Sequence, residues 1–447
     1  FRQNGIGRRP DVWRRRSPAL RGGVLLALAA TLVFPALPGC GRARAGGEGG
    51  AVRLRFSIWG SYEEWAMWRA LVSEFERRHP HIRIKIEYWP GNYETKLQLL
   101  MAADLLPDVM SVQDEPFQVY ASRGKFRELE PFMRRHPGEF APDLFLPTAL
   151  ESFRHRGRQM ALPWNGGMIL LFYNRQLLRE AGLPDPPRDW TWADFLHYCQ
   201  RLTRDDDGDG RLDRFGYDIN NWWAYLMMWV WGAGGDFLNA DRTRCTLHSS
   251  EAIEGLRFVR DLRFTHHVSP RAAEVAGMDS SVMFLTRRVA MYYNGPWQFP
   301  FLRQTSLDWD VAHLPIGPRG RWSRVSWDGL AMFARTRHPD EAWEFIRFAT
   351  GDVGQERIAR AGRAIPARRR IAESDAFVRP DTPQHEEVFL EAIDYMRLQP
   401  ITLYWWEMDE VFRREVEKFL VLGIQSAEET ARRMEEGFNR ILQDPPR

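Results

Sequence analysis

The 447-residue sequence has only three cysteines, Cys40, Cys199 and Cys245, and no two of them form a CxxC pair. This spacing excludes a disulfide-stapled scaffold and a zinc site built from paired thiolates. The sequence also lacks GxSxG, HExxH and Walker-loop signatures. The motifs of a serine hydrolase, a zinc protease and a P-loop nucleotide-binding enzyme are therefore missing.

A basic surplus is also lacking once the first 39 residues are set aside. Those residues carry seven arginines and one aspartate, whereas the remainder carries 55 basic and 58 acidic side chains. A protein that binds the phosphate backbone shows an excess of basic residues on its folded part, so we expect no nucleic-acid partner. With 44% hydrophobic and 27% charged residues, the chain is too apolar for a disordered protein and too charged for a polytopic membrane protein.

Residues 1–39 have the pattern of an export signal. An arginine-rich stretch over 2–21 precedes an apolar run over 22–37, which is too short for a transmembrane helix. The run ends in Leu-Pro-Gly-Cys40, which resembles the bacterial lipobox, in which the cysteine becomes a lipidated N-terminus. We therefore expect a signal peptide over 1–39, and a lipidated Cys40 with a flexible glycine-rich tether over 40–50.

These segments would place the protein outside the cytoplasm, anchored to the outer face of the cell membrane and therefore periplasmic if the envelope has an outer membrane. The alternative is an ordinary secretory cleavage site followed by an incidental cysteine.

Residues 52–112 predict a parallel β-α-β-α-β unit. Alternating apolar residues predict strands over 52–58 and 82–86, a helical period predicts a helix over 65–75, and 109–112 is a short apolar run typical of a buried strand. Right-handed crossovers would join the three strands. Ligands bind beyond the carboxyl ends of such strands, which here are 59–61, 88–90 and 113–115.

A turn-rich segment over 162–167 predicts a break before a second unit. That unit opens with an apolar stretch over 168–173 and continues with helices over 192–202 and 252–262. Residues 289–293 predict another buried strand, and the last 110 residues have helical patterns. The length of the chain also favours two domains, so we expect an α/β protein with two units.

Residues 205–210, Asp-Asp-Asp-Gly-Asp-Gly, resemble the start of an EF-hand calcium loop, D-x-[DN]-x-[DN]-G-x5-E. The residues that fit the pattern are Asp205, Asp207, Asp209, Gly210 and Asp213. The twelfth position, which needs a bidentate glutamate, is Gly216. Two interpretations stay open, a structural calcium ion held by the four aspartates and a solvated acidic turn. We expect no other cofactor.

A series of short motifs runs through the chain in a characteristic order. The motifs are FERRHP at 75–80, YETKL at 93–97, LPDV at 106–109, FYNR at 172–175, AGLP at 181–184, WTW at 190–192, AMYYNGPW at 290–297, AWEF at 342–345 and IPA at 365–367. Together they resemble the extracellular solute-binding proteins (family 1) of bacterial ABC importers, the group that contains the maltose-binding protein. The order of the motifs, rather than any one of them, carries this resemblance.

The resemblance implies a type II periplasmic-binding-protein-like α/β fold with two discontinuous lobes joined by a crossing hinge. Lobe 1 would comprise 51–163 and 283–326, and lobe 2 would comprise 165–279 and 329–447. The implied protein is not an enzyme. It would be the extracytoplasmic carbohydrate-binding component of an ABC importer, which captures a sugar or oligosaccharide between two closing lobes. Its expected partners are that ligand and the permease subunits with their ATPase, and we expect a monomer.

Tryptophan is abundant, with 19 residues. Indole is a flat apolar platform for the C–H face of a pyranose, and polar side chains at its rim bind the hydroxyls. Adjacent tryptophans are rarely both buried, and the resemblance places several of these segments near the cleft. The expected ligand contacts are Trp59, Ser61, Glu63, Asp114, Trp164, Asn165, Trp222, Trp223, Trp231, Trp297, Trp327, Asp328, Arg363, Trp405 and Trp406.

Two alternatives stay open from the sequence. A receptor with the same fold would need several cleft carboxylates to bind a polyamine, or clustered arginines or a helix N-terminus to bind glycerol phosphate. An extracellular glycoside hydrolase would need two carboxylates facing each other across a cleft, and Asp114 and Asp328 are the pair considered for that role.

Overall fold

The computed structural model of the chain describes residues 50–275, 277–379 and 383–444. The predicted signal peptide over 1–39, Cys40 and the predicted tether up to residue 49 lie outside these ranges. No helix within the described ranges is long and apolar enough to cross a membrane.

Strands and helices alternate along most of the described chain. The strands are β1 Val52–Ile58, β2 Ile82–Tyr88, β3 Val109–Gln113, β4 Arg154–His155, β5 Arg158–Gln159, β6 Ala161–Met168, β7 Leu170–Asn174, β8 Phe215–Asp218, β9 Val289–Asn294, β10 Trp309–Ala312, β11 Ser323–Met332, β12 Ile365–Pro366 and β13 Met396–Leu398. The α-helices are α1 Tyr62–Arg78, α2 Tyr93–Ala102, α3 Asp114–Ser122, α4 Glu130–Met133, α5 Arg175–Glu180, α6 Trp192–Leu202, α7 Trp223–Gly232, α8 Ser250–Phe264, α9 Ser280–Leu285, α10 Phe299–Leu302, α11 Pro339–Thr350, α12 Asp352–Ala361, α13 Arg369–Ala372, α14 Val388–Glu391, α15 Trp405–Val416 and α16 Ala427–Gln443.

The first sheet has the strand order β12-β6-β11-β3-β1-β2, with β13 paired to the start of β11. Strand β1 is parallel to both β2 and β3, so the predicted parallel β-α-β-α-β unit is confirmed. The crossover helix α1 begins after Ser61, whose hydroxyl accepts a hydrogen bond from the backbone N–H of Glu64. Its apolar face is buried on the sheet, where the rings of Trp68 and Phe56 lie 4.8 Å apart.

The second sheet has the strand order β10-β7-β9-β8. Strand β7 is antiparallel to β10 and β9, and β8 is parallel to β9. Helix α6 has the predicted bounds and starts with a capping box between Thr191 and Asp194. Helices α7, α15 and α16 meet at the ring of Trp223, which stacks on Phe412 at 4.3 Å and on Phe438 at 5.5 Å.

The chain passes between the sheets through β6 and β7, which are separated by one residue, Ile169. The turn predicted over 162–167 is therefore wrong, because this segment is the middle of β6 and pairs with β11, and the second sheet begins directly after it with β7. Gly166 and Gly167 suggested a turn, but they are needed for close packing. A Cβ atom would lie 2.5 Å from the Trp327 ring at Gly166 and 2.7 Å from the Trp297 ring at Gly167.

The sheets also divide the chain differently from the expected lobes, in which 283–326 joined 51–163 and 329–447 joined 165–279. Strands β9 and β10 lie in the second sheet, because the chain stays with that sheet from β7 to β10 and returns through β11. Helix α11 packs on the first sheet, where Phe345 lies 5.0 Å from Phe56. The assignments of 283–326 to lobe 1 and of the start of 329–447 to lobe 2 are therefore corrected.

One buried glutamine joins helix α12 to the edge of the first sheet. Trp164 lies at a bulge where the β6–β11 register shifts, so it has no partner in that ladder. The Nε2 of Gln355 donates to the Trp164 carbonyl at 2.7 Å, and its Oε1 accepts from the Ala367 N–H at 2.6 Å. The amide thus satisfies two main-chain groups that would otherwise be buried without partners.

We predict that Gln355→Ala lowers the free energy of unfolding by about 1–3 kcal/mol, because it leaves those two groups unsatisfied. Urea denaturation followed by fluorescence measures the change. The control is Glu356→Ala, which removes an exposed side chain from the same helix and should cost about 0.5 kcal/mol or less. Equal losses in the two variants would contradict this account of Gln355.

Candidate functional site

A cavity of about 180 Å³ lies where the two sheets meet. Strands β6 and β11 form its floor, and loops that follow strands of both sheets form its walls. Its lining residues are Trp59, Glu64, Gln113, Asn165, Gly166, Gly167, Trp222, Trp297, Arg324, Ser326, Asp328, Arg363 and Ala364.

Secondary structure fixes the positions of the polar side chains in the cavity. Trp59 directly follows β1 and Gln113 is the last residue of β3, so the cavity lies at the carboxyl ends of parallel strands, as the topology predicts. Asn165 and Asp328 are register partners in the β6–β11 pair. Arg363 follows the αL residue Gly362 at the end of α12.

Three indoles on the wall are only partly buried. Trp59 packs against the Tyr93 ring at 4.9 Å. Trp222 precedes α7 and has the Arg324 guanidinium 5.1 Å from its ring centroid. Trp297 follows β9 and lies over Gly167. These rings offer apolar faces from both sheets to one small volume, which suits a ligand with flat C–H surfaces.

Both guanidinium groups in the cavity already have carboxylate partners. The Nε of Arg363 lies 3.0 Å from Oε2 of Glu64, and its Nη1 donates to the Ser61 hydroxyl at 3.3 Å. Arg324 is buried and pairs with Glu115, and its Nε also donates to Gln399 at 3.0 Å. The pairs fix both arginines in position before any ligand arrives.

Two acceptor oxygens have no partner among the described residues, one on the lining residue Asn165 and one on Asp114, which directly follows the lining residue Gln113. Asp114 is fully buried, its Oδ2 accepts from the Trp327 N–H at 3.2 Å, and its Oδ1 has no partner among the described residues. Burial raises the pKa of Asp114 to about 7. Burial and the nearby carboxylates of Glu64 and Asp114 raise the pKa of Asp328 well above its ordinary value. The Asn165 Oδ1 is likewise buried without a partner in this part of the chain. A hydroxyl donor of a ligand in the cavity would satisfy the Asn165 oxygen.

The cavity brings together six of the residues expected to contact ligand. These six are Trp59, Asn165, Trp222, Trp297, Asp328 and Arg363. Ser61 and Asp114, which were also expected to contact ligand, do not belong to the lining; Ser61 accepts a hydrogen bond from Arg363, and Asp114 directly follows the lining residue Gln113. The expectation for Glu63 needs correction, because Glu63 is exposed while its neighbour Glu64 lines the cavity.

The other expected tryptophans do not line this cavity. Four are buried and donate their indole N–H to protein groups, namely Trp164 to Ser111, Trp223 to Asp409, Trp231 to Asp236 and Trp327 to Thr148. Trp405 is buried against Trp223 at 4.8 Å. Trp406 is partly exposed but does not belong to the lining formed by the described residues. For the five buried rings the expectation of ligand contact is corrected, because packing and hydrogen bonds within the protein occupy them, whereas contact of Trp406 with a ligand stays a prediction.

Sequence reasoning missed seven lining residues, of which four have polar side chains, namely Glu64, Gln113, Arg324 and Ser326. Gln113 lies inside the segment predicted to be a strand end, and Ser326 is two residues from Asp328 on the same strand, so strand periodicity provided a signal for both. Glu64 required the helix phase of α1. Arg324 gave no local signal, since its role depends on the three-dimensional proximity of Glu115 and Trp222.

The aspartate loop at 205–213 is separate from the cavity. Ligand oxygens of Asp205, Asp207 and Asp209 lie within 4.8 Å of one another, and all three residues are exposed. Asp205 accepts backbone hydrogen bonds from Gly208 at 2.7 Å and Gly210 at 2.8 Å. Asp213 accepts from the Asp206 N–H. The loop is thus satisfied in part by its own backbone. Calcium stays a prediction, which calorimetric titration with Ca²⁺ tests.

A cavity at the carboxyl ends of strands, between two α/β units joined by crossing strands, is the arrangement of a binding protein. The model of the bacterial extracellular solute-binding protein family matches residues 60–356. The chain therefore belongs to this family, and the resemblance predicted from its motifs is confirmed.

Two known binding proteins are similar to this chain in sequence. The maltotriose-binding protein of Pyrococcus abyssi is 25% identical over 308 residues, which cover 66% of this chain and 62% of that protein. The diacetylchitobiose-binding protein DasA of Streptomyces coelicolor is 21% identical over 312 residues, covering 67% of this chain and 69% of that protein. The chain thus matches about two thirds of the length of these two proteins.

Among solved structures, the ABC substrate-binding protein of Listeria monocytogenes in complex with cycloalternan superposes with a TM-score of 0.81 at 22% identity. The match covers 88% of this chain and 99% of that chain. The predicted type II periplasmic-binding-protein-like α/β fold is therefore confirmed, apart from the segment assignments corrected above.

The raised pKa of Asp114 predicts how stability depends on pH. An unfolded aspartate loses its proton near pH 4, whereas folded Asp114 keeps it until about pH 7. The folded state therefore binds more protons in this window, and this contribution to stability is lost as the pH rises from about 4 to 7. Asp114→Asn cannot ionise, so it should be more stable than the native protein by about 4 kcal/mol at pH 8 and about equal at pH 4.

Thermal unfolding at both pH values measures this difference. The control is Asp143→Asn, an exposed aspartate, which should change stability by the same small amount at pH 4 and pH 8. If Asp114→Asn lowers the melting temperature more at pH 8 than at pH 4, Asp114 is a stabilising ionised group and the account of the cavity's charges is wrong.

Proposed function

We propose that this protein is the extracytoplasmic carbohydrate-binding component of an ABC importer. The observation that carries this proposal is the set of three partly exposed indoles, Trp59, Trp222 and Trp297, around a cavity whose lining includes the Asp328 carboxyl group and the Asn165 Oδ1, which has no partner among the described residues. Membership of the solute-binding family supports the importer role. The names of relatives that bind maltotriose, diacetylchitobiose and cycloalternan support a sugar or oligosaccharide as the ligand.

In this proposal the indoles stack on the C–H faces of a pyranose while the polar groups bind its hydroxyls. Asp328 and Asn165, which lie on the β6–β11 floor, accept hydrogen bonds from the hydroxyls of the sugar, and Arg363 at the rim donates hydrogen bonds to them. Trp297 and Trp222 approach from the second sheet and α7. A ligand that touches both sides stabilises a closed arrangement by its differential affinity, and the membrane permease with its ATPase would recognise that arrangement.

The charges of the cavity distinguish this proposal from the other solutes. Glycerol phosphate would need free cationic donors, but Arg363 and Arg324 are already paired with carboxylates. A polyamine would need several free carboxylates in the cavity, but Glu64 is paired with Arg363, and the raised pKa of Asp328 favours its protonated form. Neutral hydroxyls satisfy both kinds of group, which favours a sugar.

We also propose that the protein is not an enzyme. Asp114 is the first residue of α3 and directly follows Gln113, the register partner of Asp328, so the two carboxylates belong to neighbouring positions at one edge of the same sheet. Glycoside hydrolysis needs two carboxyl groups that flank the scissile bond from opposite sides. A chromogenic glycoside panel tests this point, since release of product would overturn it. We also propose that the protein is a monomer, on the ground of the family membership that supports the importer role.

Calorimetry with maltotriose, diacetylchitobiose, cycloalternan and acarbose tests the ligand class. We expect at least one saccharide to bind, and Trp222→Ala to weaken that binding by about 10- to 30-fold, because about 1.5–2 kcal/mol of aromatic contact is lost. Trp322→Ala is the control, since Trp322 is partly exposed but does not line the cavity, and it should bind like the native protein. Binding of a different solute class with no response to any sugar would overturn the ligand class.

We further propose that Cys40 is lipidated and that residues 40–50 tether the domain to the cell membrane. The small residue before Cys40 and the preceding apolar run support it. We expect the native protein in the membrane fraction of expressing cells and Cys40→Ala in the soluble fraction, with Arg42→Ala as a control that stays with the membrane. A native protein found wholly in the soluble fraction would contradict the anchor.

A further inference from the structure

Two histidines and a glutamate meet at the edge of the first sheet away from the cavity. His79 follows the last residue of α1, His81 immediately precedes β2, and Glu344 lies on α11. Strands β1, β2 and β3 are parallel, so the amino end of β2 lies at the edge opposite the carboxyl ends that form the cavity. The ligand site therefore uses none of these three side chains.

Both imidazoles direct a ring nitrogen at the same carboxylate oxygen. The Nδ1 of His79 lies 2.9 Å from Oε2 of Glu344, and the Nε2 of His81 lies 3.4 Å from it. One ligand atom from each residue lies within 4.8 Å of the other two. Two neutral imidazoles and a carboxylate form the donor set of many zinc sites with three protein ligands.

The spacing of these atoms fits tetrahedral coordination. Zinc binds histidine nitrogen and carboxylate oxygen at about 2.0–2.2 Å, so neighbouring ligand atoms of a tetrahedron lie about 3.3–3.6 Å apart. The observed separations of 2.9 and 3.4 Å are close to this edge length. Small rotations of exposed side chains are sufficient to admit an ion, with water completing the fourth position.

The backbone and the packing hold the histidines in this arrangement. The N–H of Ile82 donates to the His79 carbonyl at 3.0 Å, which closes a tight turn through Pro80 and brings both rings to one side. The His79 ring stacks on Phe75 at 4.4 Å with 20° between the planes. The side chains of His79, His81 and Glu344 remain 28%, 58% and 37% exposed, so an ion reaches them directly from solvent.

We propose that His79, His81 and Glu344 bind a zinc ion. The ion joins the turn between α1 and β2 to α11, two segments that are 265 residues apart in sequence. Such a link stabilises the folded chain because zinc binds the assembled site more tightly than the unfolded chain. Because the site lies at the opposite edge of the sheet from the cavity, zinc should leave solute binding unchanged.

Calorimetric titration of the mature protein with ZnCl₂, without a histidine tag, tests this proposal. We expect one equivalent of zinc to bind and to raise the melting temperature. Substitution with Co²⁺ should give the visible absorption bands of a tetrahedral ion. His81→Ala is the main variant, since this ring is the most exposed of the three, and it should weaken zinc binding at least 10-fold. Glu344→Gln should act in the same direction.

His248→Ala is the matched control. His248 faces a single carboxylate, Glu435, at 3.6 Å and belongs to no three-residue cluster among the described residues. The zinc affinity of the His248→Ala variant should equal that of the native protein. Absence of zinc binding, or zinc binding that persists unchanged in His81→Ala and Glu344→Gln, would overturn the proposal. In the second case the ion binds elsewhere, for example at the aspartate loop.

Discussion

The antiparallel pairing of β6 with β11 holds the two sheets and the cavity in one arrangement. Strand β6 leads through Ile169 into β7, so the floor of the cavity and the second sheet share a continuous backbone. The pairing sets Asn165 beside Asp328 as register partners. Gly166 and Gly167 beside them leave room for the rings of Trp327 and Trp297. The positions of the polar floor and of the aromatic wall thus depend on the same few residues of β6.

The electrostatic design of the cavity follows from this backbone. Each guanidinium of the lining is balanced by a carboxylate, and burial favours the protonated forms of Asp328 in the lining and of Asp114 next to the lining residue Gln113. The cavity therefore offers hydrogen-bond donors and acceptors in fixed positions rather than a strong electrostatic field of one sign. Such preorganised neutrality suits a polar uncharged ligand, because little reorganisation is needed when hydroxyl groups replace water.

Local sequence patterns were sufficient to predict the first parallel strands, α6 and β9, because the alternation of a strand and the period of a helix depend on nearby residues. The sheet that β9 joins was not predictable from the sequence pattern, since a strand buried on both faces looks alike in either sheet. Trp222 and Trp406 each belong to a pair of adjacent tryptophans. Only the packing of α7 and α15 decides which of these rings reaches the cavity. Successive helical residues point about 100° apart, which is why Glu64 rather than Glu63 lines it.

The central claim is that an oligosaccharide binds between the two sheets with its rings on the indoles of this cavity. A crystal structure of the protein with the tightest-binding saccharide tests that claim most directly. The account predicts a pyranose stacked on Trp222 or Trp297, with hydroxyls within hydrogen-bond distance of Asp328 and Asn165. A saccharide bound outside this cavity, or held there without contact to any of the three exposed indoles, would contradict it.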